Sequence, residues 1–213
     1  MQVNSDLVFA AVADERRKLA DLVDGLDEEQ LATPSLCAGW DVKTVAAHLV
    51  SDFSDGFWGF QRAALRHGGV HRGIDQLARQ RARTPAAELA RILRERAETR
   101  LSPPVTGPRS GLTDVLVHGG DMRIPLGLPF EPDVERVAVA LDFLTGPTPF
   151  GFLPGRRLRG ISLRATDVDR AWGRGAEIRA PAKALMMTVL GRDALLHELD
   201  GPGVPILRRR VWG

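Results

Sequence analysis

Residues 111–123 read GLTDVLVHGGDMR. In a helix, Asp114, His118 and Asp121 would project from one face, because positions i, i+4 and i+7 follow the 3.6-residue turn. The opposite face would be apolar and carry Leu112, Val115, Leu116 and Val117. A carboxylate one turn before an imidazole is a common way for a helix to present two metal ligands. A surface Asp–His hydrogen bond is the other interpretation of the same pattern.

A second stretch, residues 33–50, reads TPSLCAGWDVKTVAAHLV. Asp41 is a good N-cap, so we expect a helix to start after it and to run to about residue 65. The buried face of this helix would contain Val42, Val45, Ala46, Leu49 and Val50. His48 falls at the edge of that face, where it would be either a metal ligand or a hydrogen-bonded core histidine.

Together the two stretches resemble the mycothiol-dependent maleylpyruvate isomerase family, which belongs to the DinB-like group of helical metalloproteins. The first signature of that family is a Pro-Ser-x-Cys-x-Gly-Trp turn, followed about eight residues later by His-Leu-Val. Residues 34–40 and 48–50 match it. The second signature, Glu-x-x-x-His-x-x-Asp on a later helix, is matched by Asp114, His118 and Asp121, with Asp in place of Glu.

The resemblance implies a divalent metal, usually zinc, held by His48, Asp114 and His118, and mycothiol as the thiol cosubstrate. It also implies an isomerase or thiol transferase acting on a small electrophile in an actinobacterium. Nickel, iron and manganese stay open, because histidine and carboxylate ligands suit several metals. The side chain of Asp114 is one methylene shorter than glutamate and reaches less far.

Two features favour a non-catalytic metal- or small-ligand-binding protein as the alternative. One is the shorter ligand at position 114. The other is the Gly119–Gly120 pair, because each glycine weakens a helix interior by about 1 kcal/mol relative to alanine. Turnover that requires thiol and metal together would separate an enzyme from a binding protein.

The composition is that of an ordinary globular protein, with 213 residues, 44% apolar residues, 26% charged residues and a net charge of +2. No run of 18 apolar residues and no secretory signal is found, and the chain has one cysteine. We therefore expect a cytoplasmic monomer or homodimer without a membrane partner. Arginines in residues 79–100 alternate with glutamates, which indicates a solvated face, with nucleic-acid binding as the weaker interpretation.

The periodicity predicts an α+β fold that is mainly α. Helices are expected at residues 5–26, 41–65, 75–100, 111–124 and 133–145, with a short helix capped by Asp27 and Gln30. They would form a DinB-like antiparallel bundle over residues 1–146. After a Pro/Gly-rich boundary, residues 147–213 would form a small α+β domain. Its predicted elements are strands at 158–166, 172–178 and 204–208 and helices at 181–190 and 193–199.

This C-terminal part resembles the family's sterol-carrier-like domain, through Trp172-Gly173, Pro181 and Leu190-Gly191-Arg192 among other residues. Arg192 would either anchor an anionic substrate or neutralise a helix C-terminus. Asp121 would either orient an imidazole or accept a proton, or it would form a salt bridge to Arg123 or another basic residue.

Three further sets of residues have two interpretations each. Cys37 lies before a helix start and is either a nucleophile or a small buried residue. His67 and His71 are read as exposed residues of a glycine-rich loop rather than as metal ligands. The aromatic residues Phe53, Phe57, Trp58 and Phe60 would be core or the wall of a pocket.

Overall fold

The computed structural model describes residues 4–54, 66, 68–103, 105–147, 149, 151–154 and 156–213. The predicted aromatic positions Phe57, Trp58 and Phe60, the helix end near residue 65 and His67 lie outside these residues.

The described residues are mainly helical, with one small sheet, so the predicted α+β class is confirmed. The helices are α1 (Ser5–Asp24), α2 (Glu28–Leu31), α3 (Val42–Ser54), α4 (Val70–Arg81), α5 (Ala86–Glu95), α6 (Pro108–Arg123), α7 (Val134–Leu144), α8 (Ala182–Val189) and α9 (Val204–Val211). The strands are β1 (Ile161–Ala165), β2 (Ala171–Gly173) and β3 (Ala176–Ala180).

Helix starts follow the capping residues in the sequence. Asp27 and Gln30 form the expected capping box at α2. The Asp41 carboxylate accepts a hydrogen bond of 2.7 Å from the Thr44 N–H at the start of α3. The five apolar residues predicted for the buried face of α3 are all buried. These caps satisfy N–H groups that would otherwise lack intrahelical partners.

The helical stretch predicted over residues 75–100 forms two helices, α4 and α5. Pro85 stands at the N-cap of α5, where its missing N–H costs no hydrogen bond within the helix. The first helix also begins earlier than predicted, at Val70, so His71 lies in a helix and not in a loop. It is exposed, as expected.

The arginines of this region are paired with carboxylates. Arg91 contacts Glu88 and Glu95 on its own helix, and Arg94 contacts Asp21 on α1. Ion pairs of this kind neutralise much of the basic stripe, which favours the solvated-face interpretation over nucleic-acid binding.

The sheet has the order β2-β1-β3, with β1 antiparallel to β2 and parallel to β3. The single strand predicted at residues 172–178 is therefore wrong, since β2 and β3 lie on opposite sides of β1. The break falls at Gly173 and Gly175, which both have positive φ. A Cβ on Gly175 would collide with the Gly160 carbonyl, so only glycine fits this turn.

The edge strand predicted at residues 204–208 is wrong, because these residues begin α9. Pro205 lies in the first turn of the helix, where its missing N–H costs no hydrogen bond. Val204, Leu207 and Val211 recur at helical spacing, and Leu207 is fully buried. In so short a segment, strand and helix patterns are easily confused.

Contacts divide the chain into two compact units. One contains Ala10–Thr99 and Asp121–Leu128, and in it α3 packs against α4 and α5. The other contains the residues up to Phe9, Arg100–Gly120 and Pro129–Gly213, and in it α7 packs against α8. Helices α1 and α6 contribute residues to both units. The domain boundary predicted at residue 146 stays a prediction.

No helix among the described residues is long and apolar enough to span a bilayer.

Candidate metal centre

Helix α6 presents Asp114 and His118 on one face, as the spacing predicts. The Asp114 Oδ1 atom lies 3.4 Å from His118 Nε2, and the side chains are 18% and 8% exposed. The four apolar residues of the opposite face are buried. Because little water screens this pair, a cation placed beside it would be attracted more strongly than at an exposed site.

His48 lies on α3 at the edge of the buried face and is 9% exposed. Its ring contacts the indole of Trp40, with 5.3 Å between ring centroids and a tilt of 47°. Trp40 is the last residue of the turn that precedes the Asp41 cap. The same turn and cap therefore place both the start of α3 and the aromatic neighbour of His48.

His48 on α3 and the α6 pair of Asp114 and His118 offer two imidazole nitrogens and one carboxylate oxygen. Two imidazole nitrogens and one carboxylate oxygen are the donor set of a common type of catalytic zinc site. The three residues therefore fit a divalent ion by the chemistry of their donor atoms, and their role as its ligands stays a prediction.

Cys37, in the turn before α3, contacts Asp121. Cys37 Sγ donates to Asp121 Oδ2 over 3.5 Å, and the Leu36 N–H donates to the Asp121 backbone carbonyl over 3.1 Å. Asp121 is fully buried. Buried polar groups of this kind are normally hydrogen-bonded, and both roles considered for Asp121 stay predictions.

The turn over residues 34–40 is closed by its own residues. The Ser35 hydroxyl donates to the Trp40 carbonyl over 2.9 Å and accepts the Cys37 N–H over 3.1 Å. Gly39 has a φ of 78°, which favours glycine. Serine and glycine at these positions are thus explained by the local geometry of the turn.

The sequence model of the mycothiol maleylpyruvate isomerase N-terminal domain matches residues 12–123, more than half of the chain. The chain belongs to this family. No curated protein and no solved structure matches it. Family membership and the candidate ligand residues together suggest a divalent metal. The matched range includes His48, Asp114, His118 and Asp121, whereas Arg192 lies outside it.

Gly120 lies inside α6, where glycine is usually unfavourable, and an added side chain would be crowded by two neighbours. A Cβ at this position would lie 2.8 Å from Met187 Cε on α8 and 3.0 Å from Phe130 Cζ. Both neighbours are buried. The low helix propensity of Gly120 is therefore offset by the close approach of these side chains.

Arg192 donates from Nη1 to the Leu190 carbonyl over 2.9 Å, just beyond the end of α8. Arg157 donates to the neighbouring Val189 carbonyl over 2.9 Å. Burial and the positive charge of Arg192 lower the pKa of Arg157. The helix C-terminal interaction considered for Arg192 is thus present, and its role toward a ligand stays a prediction.

Sequence reasoning misses one set of contacts in this family member, around Trp40. Its Nε1–H donates to Asp75 Oδ1 over 2.7 Å, and Asp75 also accepts from Arg79. The sequence places Arg79 on a solvated stripe and does not single out Asp75. The signal that could have found them is an Asp–Arg pair at i, i+4, which is common on exposed helices.

Proposed function

We propose that this chain is a divalent-metal-dependent enzyme of the maleylpyruvate isomerase type, which uses mycothiol as a thiolate for isomerisation of, or S-transfer to, a small electrophile. The observation that carries the proposal is the largely buried Asp114–His118 pair of α6, with Oδ1 3.4 Å from Nε2, and we propose His48 as the third ligand. Membership of the mycothiol maleylpyruvate isomerase N-terminal domain family supports the thiol cosubstrate.

Each of the three residues would contribute in a different way. A divalent ion with three protein ligands keeps one open position, where it lowers the pKa of a bound thiol. Asp114 would supply the negative charge of the ligand set, and the two histidines would supply neutral nitrogen donors. Zinc is proposed as the metal because nitrogen and oxygen donors of this type suit it.

Two further residues are proposed to support the reaction. Asp121 is buried beside Cys37 and would orient the His118 imidazole or accept a proton. Arg192 would bind an anionic group of the substrate or of the thiol through its guanidinium group. We place the protein in the cytoplasm, where its one cysteine would remain reduced.

The first test is the metal content of the purified protein, measured by elemental analysis beside three variants. His48→Ala and His118→Ala remove proposed ligands, and His71→Ala removes an exposed histidine of α4 as a control. We expect near-stoichiometric metal in the native protein and in the control, and loss of metal in the other two. Native protein that stays metal-free with zinc supplied, or His48→Ala protein that keeps its metal, would contradict the proposal.

The thiol requirement is tested on the same preparations. Maleylpyruvate should be consumed only when mycothiol and metal are both present, and His48→Ala should abolish the reaction. A non-catalytic binding protein is the second candidate, favoured by the shorter side chain at Asp114. It predicts a higher thermal midpoint with zinc and no turnover.

A further inference from the structure

Trp40 is held at two separate points. Its indole N–H donates to the Asp75 carboxylate over 2.7 Å, while the ring lies 5.3 Å from the His48 ring, centroid to centroid. Hydrogen bonds to an ionised acceptor are about twice as strong as neutral ones. The indole therefore cannot turn away from His48 without breaking its bond to Asp75.

Arg79 completes a closed set of contacts around the same turn. Its Nε lies 2.9 and 3.0 Å from the two Asp75 carboxylate oxygens, and its Nη2 donates to the Gly39 carbonyl over 2.8 Å. Helix α4 thus binds two consecutive residues of the turn, Gly39 through the backbone and Trp40 through the side chain. The Trp40 N–H, more than Arg79, holds the pKa of Asp75 below its ordinary value, so the carboxylate is ionised at neutral pH.

An ordinary surface ion pair is the competing explanation. The Asp75 and Arg79 side chains are 36% and 49% exposed, and pairs this exposed contribute about 0.2–1 kcal/mol to stability. Arg91 on α5 provides the comparison, because it pairs with Glu88 and Glu95 within its own helix. The pair on α4 differs in that each member also bonds to the turn beside His48.

We propose that Asp75 and Arg79 are positioning residues for His48, and that they act by holding Trp40 against its imidazole. The inference rests on the proposed function only in taking His48 as a metal ligand. A ring that is already oriented loses less rotational freedom when its nitrogen binds a metal. Loss of outer partners of metal-bound histidines typically weakens metal binding 10–100-fold. We expect a loss of zinc affinity at the lower end of this range, about tenfold, because Trp40 contacts His48 ring to ring and not through a direct hydrogen bond.

The test is the zinc affinity of metal-free protein, measured by competition with a chromophoric chelator. Asp75→Ala and Arg79→Ala should each weaken zinc binding about tenfold. Asp75→Asn should fall between them and the native protein, because it keeps an oxygen for the Trp40 N–H and loses the charge that Arg79 binds. Arg91→Ala is the matched control, since it breaks ion pairs of similar exposure within α5 and should leave the affinity unchanged.

A second readout needs no metal. In the metal-free protein, proton NMR should show that Asp75→Ala and Arg79→Ala shift the Trp40 indole N–H and the His48 ring protons, which feel the indole ring current. Arg91→Ala should shift neither. This readout decides the proposal even if the native protein binds no zinc, so failure of the metal site and failure of the positioning role are distinguishable.

Two results would overturn the inference. The first is unchanged His48 ring shifts in both α4 variants, which would mean that the indole does not depend on them. The second is an equal loss of zinc affinity in Arg91→Ala, which would make the effect a general one. Asp75→Asn and Arg79→Ala keep the test available if Asp75→Ala does not fold.

Discussion

At position 114 an aspartate stands where the family pattern has a glutamate. Its Oδ1 lies 3.4 Å from His118 Nε2, so the shorter side chain still reaches the imidazole one turn away. The charge and the oxygen donors are the same in both residues. Because aspartate is one methylene shorter, its carboxylate would bind a metal closer to the helix axis than a glutamate carboxylate would.

Replacement of Asp114 tests its role as a ligand. Asp114→Asn keeps the shape and removes the charge, so we expect zinc affinity to fall by at least about tenfold, or about 1.4 kcal/mol. Asp114→Glu restores the family pattern and should bind zinc more tightly than Asp114→Asn does. Chelator competition measures both variants. An Asn variant that binds zinc like the native protein would show that Asp114 is no ligand.

Helix α6 combines a polar face, a buried apolar face and a closely packed glycine. Its polar face holds Asp114 and His118, its apolar face is buried, and its Gly120 allows Met187 and Phe130 to approach closely. The spacing of the polar residues follows from the helical turn alone. The crowding at position 120 comes from side chains that lie outside α6 in the sequence.

Two glycines of α6 provide a matched pair. A Cβ added at Gly111 would meet no neighbour within 4 Å, so Gly111→Ala should stabilise the protein by up to about 1 kcal/mol through helix propensity. Gly120→Ala gains the same helix propensity, but its methyl group would press on Met187 and Phe130 at a cost of about 1–3 kcal/mol. We therefore expect this change to destabilise the protein, by less if the flexible end of Met187 moves aside. Urea denaturation gives both free energies of unfolding. Equal stabilisation by the two changes would show that packing does not require Gly120.

For the molecule as a whole, side-chain hydrogen bonds connect elements that are distant in sequence. In the unit that contains the sheet, Asp142 on α7 accepts from the Trp172 indole over 2.7 Å and from Arg170 Nη1 over 3.1 Å. Trp172 lies on β2 and is buried. This carboxylate therefore links a helix that precedes the Pro/Gly-rich segment to the sheet that follows it.

Removal of this carboxylate should destabilise the fold. Asp142→Ala leaves the indole N–H of Trp172 without this acceptor, and loss of a buried partner costs about 1–3 kcal/mol. Asp142→Asn keeps an oxygen at the same place and should cost less. Thermal and urea denaturation of the two variants would measure the difference. A smaller effect of alanine than of asparagine would contradict this role.

The sequence by itself determined the features that depend on neighbours within one or two turns. These are the caps at Asp27 and Asp41, the buried face of α3, and the placement of Asp114 and His118 on one face of α6. Each follows from helix geometry or from hydrogen bonds to the nearest N–H groups. The motifs also identified the family, because the two signatures depend on local turns and helices.

Only the tertiary structure decided the features that depend on distant residues. The separation of β2 from β3 depends on the pairing of β1 with both, and the burial of Leu207 in α9 is a tertiary contact. The contact of Trp40 with Asp75 joins residues 35 positions apart. Local propensity does not report such contacts, because the free energy that selects them comes from packing and pairing across the chain.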